Sequence, residues 1–279
     1  MKNLVTLLAL GAVASSCMDS SMEFQQTVAI EGPAQLEMAF PDQCGDVQQG
    51  FLGTNPISYE VINGTMVAEG DILLHPSQVQ DAPIQTESVG RLFGRWTDNT
   101  VYYSIAKNLP NQARVHDAIA HWEANSNLVF VEVGKGRNRP ANYISFESGG
   151  GCSSYVGMVG GKQVITLASG CTTGNTIHEI GHAIGLWHEQ SRADRDDYII
   201  VYFENITSGR EHNFYTYVQA GNDGAEYSPT LDFGSIMMYP YNAFSSNGQP
   251  TITKLDGSLF SVQRNALSAD DIYGVSQMY

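Results

Sequence analysis

The 279-residue sequence predicts an α+β fold: a two-part domain over residues 90–279, behind an N-terminal segment of different character. Three observations predict it. From Trp96 to the run that begins at His178, stretches with the two-residue period of strands alternate with stretches of helical period. Beyond His188 the patterning gives way to Gly-, Asn- and Ser-rich stretches, the mark of a loop-rich half. Charge divides the chain as well: residues before Gly90 hold eleven of the 29 acidic groups but one of the 14 Lys and Arg, Lys2. That imbalance reads as a removable prosegment, with an acidic solvated N-terminal domain as the alternative.

Taken in order, residues 1–17 read as a secretory signal. Lys2 gives the positive end and residues 4–13 an apolar core too short to span a bilayer. Two exits are open. Ala12 and Ala14 suit an ordinary signal peptidase, whereas Ala14-Ser15-Ser16-Cys17 resembles a lipobox that would leave a lipid anchor on Cys17. The protein is therefore expected to be exported, secreted or lipid-anchored through Cys17, with no transmembrane span. Residues 18–89 form the expected propeptide. In it, Ile57-Ser58-Tyr59-Glu60-Val61-Ile62 followed by Asn63-Gly64 reads as a strand entering a hairpin turn. Residues 76–90, with Pro76 and Pro83, read as an exposed linker and a cleavage region.

In the main domain, Val101-Tyr102-Tyr103-Ser104-Ile105 predicts a strand. Pro110 opens a predicted helix whose Val115, Ala118, Ile119 and Trp122 share a face. Strands follow at 129–133, 143–146 and 164–167, then the helix carrying His178 and His182. Ser268-Ala269-Asp270-Asp271 resembles a capping box opening a final helix that ends near Tyr279. Hydrophobic content of 42% suits a folded core, and a net charge of −15 excludes nucleic acid and anionic membrane as partners. Of four cysteines, Cys17 is lipidated or removed. A Cys152–Cys171 disulfide would close a loop worth about 3 kcal/mol and leave Cys44 as the odd thiol.

The most informative motif is His178-Glu179-Ile180-Gly181-His182-Ala183-Ile184-Gly185-Leu186-Trp187-His188. Helical spacing puts His178 and His182 one turn apart on one face, so both reach one ion. Gly185 lets the helix stop and the chain turn back to deliver His188. Three nitrogens leave one position of a tetrahedral zinc open for water, the arrangement of a catalytic site. Glu179 sits beside the metal, placed to take a proton as general base.

That motif continues into Glu189-Gln190-Ser191-Arg192-Ala193-Asp194-Arg195-Asp196-Asp197-Tyr198, and Ser235-Ile236-Met237-Met238-Tyr239 follows later. Together they resemble the astacin family of secreted zinc endopeptidases, within the metzincin group, over about residues 90–279. The resemblance implies a metzincin-like domain: a twisted mixed N-terminal sheet with two long helices, and a loop-rich C-terminal half. It implies one catalytic zinc on His178, His182 and His188, with Glu179 as base and Tyr239 as a further ligand that swings to stabilise the oxyanion. Met237 would lie in a turn beneath the metal, and Glu189 would meet the freed N-terminus of the mature chain. Met238 departs from the family, where His is usual. Read without the family, Met237 and Tyr239 are ordinary core residues, and Arg192, Asp194, Arg195 and Asp196 an ion-pair network. The neighbourhood of Ser154 reads as an edge strand that aligns an extended peptide by main-chain hydrogen bonds.

Expected partners are protein or peptide substrates and an activating protease, with the enzyme a monomer. Latency has two candidate ligands. Cys44-Gly45 resembles the cysteine switch of matrix metalloproteases, with Cys44 on the zinc of the zymogen. Astacins more often use Asp in Phe-x-Gly-Asp, of which Gly45-Asp46 keeps the last half. A catalytically weak zinc-binding surface or interaction protein is the alternative function, and Glu179 argues against it.

Overall fold

The computed structural model describes residues 36–52, 55–82, 94–134, 139–220 and 224–279. The predicted signal, Cys17 and residues 83–93 lie outside them. The described residues all fall within one unit of the chain.

The N-terminal segment folds as a meander of β1 (Asp46–Leu52), β2 (Asn55–Ile62), β3 (Thr65–Ala68) and β4 (Ile72–Leu74), with a two-residue β5 (Val79–Gln80) on β1. The Asn63-Gly64 turn is formed, both residues in the left-handed region at φ 52° and 78°. That conformation matches the right-handed twist of the flanking strands. β5 lies where the sequence predicted only linker.

The domain begins with β6 (Thr100–Ile105), α1 (Ala113–Asn125), β7 (Val129–Glu132), β8 (Tyr143–Glu147), β9 (Cys152–Tyr155), β10 (Lys162–Leu167) and α2 (Thr173–Ile184). Helix α1 starts three residues after Pro110 rather than at it. Strands β10, β8, β6 and β7 run parallel to one another, and β9 joins β10 antiparallel, a mixed sheet as expected. Val115, Ala118, Ile119 and Trp122 face this sheet and α2 in one core, with Trp122 Nε1 donating to the Ile177 carbonyl at 3.1 Å. The Cys152–Cys171 disulfide ties the start of β9 to the loop before α2.

The C-terminal half holds β11 (Ile199–Val201), β12 (Ile252–Lys254) and α3 (Ala269–Met278), joined by loops and single turns around a second core that includes Phe214, Met238, Tyr239 and Ile252. The predicted capping box of α3 is present. Ser268 Oγ accepts from Asp271 N at 2.9 Å, and Asp271 Oδ2 accepts from Ser268 N at 2.9 Å. Asp271 also takes Ser235 Oγ at 2.6 Å and Ile236 N at 2.9 Å, anchoring the Met237 turn between the two cores.

One feature of the sheet was not legible in the sequence. β4 pairs parallel with β9, Ile72 opposite Ser154 and Leu73 opposite Tyr155, so segment and domain share one ten-stranded sheet. The edge expected to align a substrate therefore holds the chain's own N-terminal segment.

Candidate metal centre

Helix α2 is built to hold its histidines still. Thr172 and Asn175 form a capping box at its start, and Gly185 ends it at φ 113°, a left-handed stop that any Cβ would strain. The chain then reverses through Leu186 and Trp187 to His188. The rings of His178, His182 and His188 converge with centroids 4.7–5.3 Å apart, all three buried. Their outer nitrogens are fixed: His178 Nδ1 bonds the Ile236 carbonyl at 2.8 Å and His182 Nδ1 the Leu186 carbonyl at 2.8 Å. Each Nδ1 is thus the donor, which leaves the Nε2 lone pairs facing the centre. Met237 lies beneath, its sulfur 2.9 Å from where a Cβ on Gly181 would stand.

The fourth group at the centre is Asp71. Its Oδ2 is 3.3 Å from His178 Nε2 and 3.4 Å from His188 Nε2, and its Oδ1 is 3.7 Å from His182 Nε2. Zinc–ligand bonds of about 2.0–2.1 Å in a tetrahedron put neighbouring donors roughly 3.3 Å apart. Asp71 Oδ1 and the Nε2 atoms of His182 and His188 have no hydrogen-bond partner among the described residues. Three imidazoles and a carboxylate around such unsatisfied, buried atoms fit one zinc ion.

The two residues expected as latency ligands lie elsewhere in the structure. Cys44 is exposed at the foot of β1, its sulfur 3.5 Å from Arg210 Nη2, and Asp46 is exposed as the first residue of β1. Neither joins the cluster. The reason is backbone geometry: Glu69 at φ 47° and Gly70 at φ 81° make a left-handed turn that sends Asp71 inward. Gly70 is required there, since a Cβ would stand 2.8 Å from the Phe244 ring. Gly70-Asp71 repeats the same Gly-Asp half-motif as Gly45-Asp46, with Ala68 in the Phe position. That second copy was the available signal.

Glu179 is buried and both its oxygens lack partners among the described residues. Burial first, then the nearby charges of Asp71 and Glu37, push its carboxyl well above the usual range. Tyr239 packs its ring 4.5 Å from His188 and donates its hydroxyl to the Glu69 carbonyl. Glu189 Oε1 accepts from Asp232 N at 2.9 Å, and burial raises its pKa to about 7 against the pull of that amide and of Arg192. It lines a cavity of about 110 Å³ with Gly94, Arg95, Tyr227 and Asp271. The expected ion pairs form, Arg192 with Asp194 at 2.8 Å and Arg195 with Asp196 at 3.1 Å.

The acidic segment uses its charge to dock. Glu37 pairs with Arg264 at 2.7 Å and accepts from Asn175 Nδ2 at 2.6 Å, while Glu60 pairs with Arg210 at 2.7 Å. Burial opposes the Glu37 charge, but the Arg264 guanidinium beside it outweighs that and brings its pKa to about 2.

A helix with two histidines, a third across a glycine turn and a methionine turn below define a mononuclear metal centre of the long-histidine-motif type. Residues 89–279 match the family model described as Astacin (Peptidase family M12A), and the chain belongs to that family. Blastula protease 10 of Paracentrotus lividus is 41% identical over 231 residues, covering 76% of this chain and 38% of that protein. Meprin A subunit beta of Homo sapiens is 34% identical over 222 residues, covering 77% and 30%. This chain thus spans well under half of either relative. Among solved structures, high choriolytic enzyme 1, a hatching enzyme zinc-protease from Oryzias latipes, superposes with a TM-score of 0.59 at 28% identity, over 69% of this chain and 96% of its own. The fold is metzincin-like, as the sequence predicted.

Proposed function

We propose that the chain is the zymogen of a secreted, monomeric zinc endopeptidase that hydrolyses internal peptide bonds of proteins. One observation carries the reading: Asp71 of the N-terminal segment faces the three Nε2 atoms at the position a catalytic zinc keeps open. Latency is thereby assigned to Asp71 instead of Cys44 or Asp46, and residues 18–89 act as the inhibitory propeptide. Export follows from the signal at residues 1–17, with a lipid on Cys17 as its second exit.

His178, His182 and His188 would hold the zinc, which when bound would supply a Lewis acid that eases deprotonation of water. Glu179 takes that proton on a carboxylate oxygen as the new C–O bond forms. It then passes the proton to the amide nitrogen as the C–N bond breaks. Burial raises the Glu179 pKa most, and the two acids that add to it, Asp71 and Glu37, both belong to the segment, so its removal eases ionisation of the base. Removal also frees the Tyr239 hydroxyl from the Glu69 carbonyl to donate to the developing oxyanion. Main-chain groups of β9 align the substrate once β4 has left. The amino terminus that an activating protease creates near residues 80–90 reaches the Glu189 cavity, where its ammonium meets a buried carboxylate.

The test is cleavage of a denatured protein by the processed chain, with and without a chelator, beside Glu179→Ala. Activity lost to both supports the reading, and equal activity in all three samples refutes it.

A further inference from the structure

We propose that Glu69 is a positioning residue for the metal, aligning His188 for coordination so that the N-terminal segment retains the ion it blocks. The proposal rests on the reading of Asp71 as the latency ligand. His178 and His182 take their Nδ1 partners from the domain itself, the Ile236 and Leu186 carbonyls. His188 takes its partner from the segment: Glu69 Oε2 lies 2.8 Å from His188 Nδ1 and accepts from Ser191 Oγ at 3.1 Å. Glu69 is 3% exposed, so the contact is shielded from solvent. A carboxylate behind an imidazole fixes the ring and raises the basicity of its other nitrogen, and loss of such a partner typically lowers metal affinity 10–100-fold.

The backbone supports the assignment. Glu69 holds φ 47°, a conformation sparse for a residue with a Cβ, which persists only where surrounding contacts enforce it. Three contacts do so. The Glu69 carboxylate meets His188, its carbonyl meets Tyr239, and Asp71, two residues on, meets all three Nε2 atoms. The Glu69-Gly70-Asp71 tripeptide thus closes the centre from two directions, supplying a fourth donor and the support behind the third. Four protein donors with a fixed outer layer is the arrangement of structural zinc sites. Proteolytic removal of the segment takes away a ligand and a support together, so the full chain holds zinc more tightly than the processed domain for two separable reasons.

The experiment follows zinc transfer to excess chelator from the purified full chain, as wild type, Glu69→Gln and Asp71→Asn, and from the processed domain of each. Glu69→Gln keeps the side chain's shape and removes its charge. The expected result is zinc transfer about 10–100-fold more favourable from full-length Glu69→Gln than from wild type. Its latency is intact, and the processed domains, identical in sequence, behave alike. Wild-type transfer from the full-length variant overturns the proposal. So does faster transfer accompanied by premature activity, which would make Glu69 only a docking residue. A fully latent Asp71→Asn chain overturns the latency reading instead, and leaves the Glu69 comparison to be judged on its own rates.

Discussion

Glu179 and Asp71 are buried carboxylates on either side of one metal position, and their replacements should act in opposite directions. Glu179→Ala in the processed chain should lower kcat by at least 10²–10⁴-fold while zinc content, read by metal analysis, stays at one per chain. Asp71→Asn should give activity before processing. Cys44→Ser should leave latency as it is, because the thiol stands exposed beside Arg210 and not at the histidines. Tyr239→Phe should cost about 10²–10³ in kcat with little change in KM, the signature of a donor that acts on the oxyanion. The histidines and Glu179 were legible because helical spacing and a glycine stop bring neighbours in sequence to one point, whereas the Met237 turn was legible only through the family resemblance. Asp71 left only its Gly-Asp half-motif as a signal, since it is 107 residues from His178 and reaches it only through the pairing of β4 with β9. A thiol is the better zinc ligand by chemistry, which drew the sequence reading to Cys44, but backbone position decides which donor arrives.

Among the elements, those with local causes were legible: the Asn63-Gly64 hairpin, the apolar face of α1, the capping box of α3. The capping box of α2 was not, because Asn175 stands at its fourth position, where the motif carries an acid or Gln. Thr172→Ala should lower stability by about 1 kcal/mol in a denaturant titration. Docking of the segment has a pH dependence with a definite sign. Glu37 titrates near 4.5 when free and at about 2 when seated on Arg264. Its contribution is therefore present above pH 4.5 and lost as pH falls from 4.5 towards 2, worth about 3 kcal/mol at most. Thermal unfolding of the full chain followed across that range should show the loss, and Glu37→Gln should flatten it.

For the molecule as a whole, the sequence foresaw a two-part domain behind an N-terminal segment. It did not foresee that the segment would extend the domain's sheet, because strand pairing between distant stretches leaves no periodic trace. The Cys152–Cys171 disulfide holds the receiving strand β9 at one end, and there Cys152 N donates to the Met38 carbonyl at 3.0 Å, so the segment holds the same edge of β9 through Met38 as well as through β4. Replacing both cysteines by Ser should lower the unfolding free energy by about 3 kcal/mol and weaken inhibition in the same variant.

A strand laid on an edge is also a separable molecule. While the chain is continuous, its local concentration at the cleft is of millimolar order; once the link is cut, ordinary mass action takes over. On the proposed zymogen reading, clipping and activation are therefore distinct events. A freshly cut preparation should stay largely silent at high protein concentration and gain specific activity on dilution. A synthetic peptide covering residues 36–82 should restore the silence in trans. On that reading the place of release matters as much as the time of cutting, since dispersal into a large volume would complete what proteolysis began.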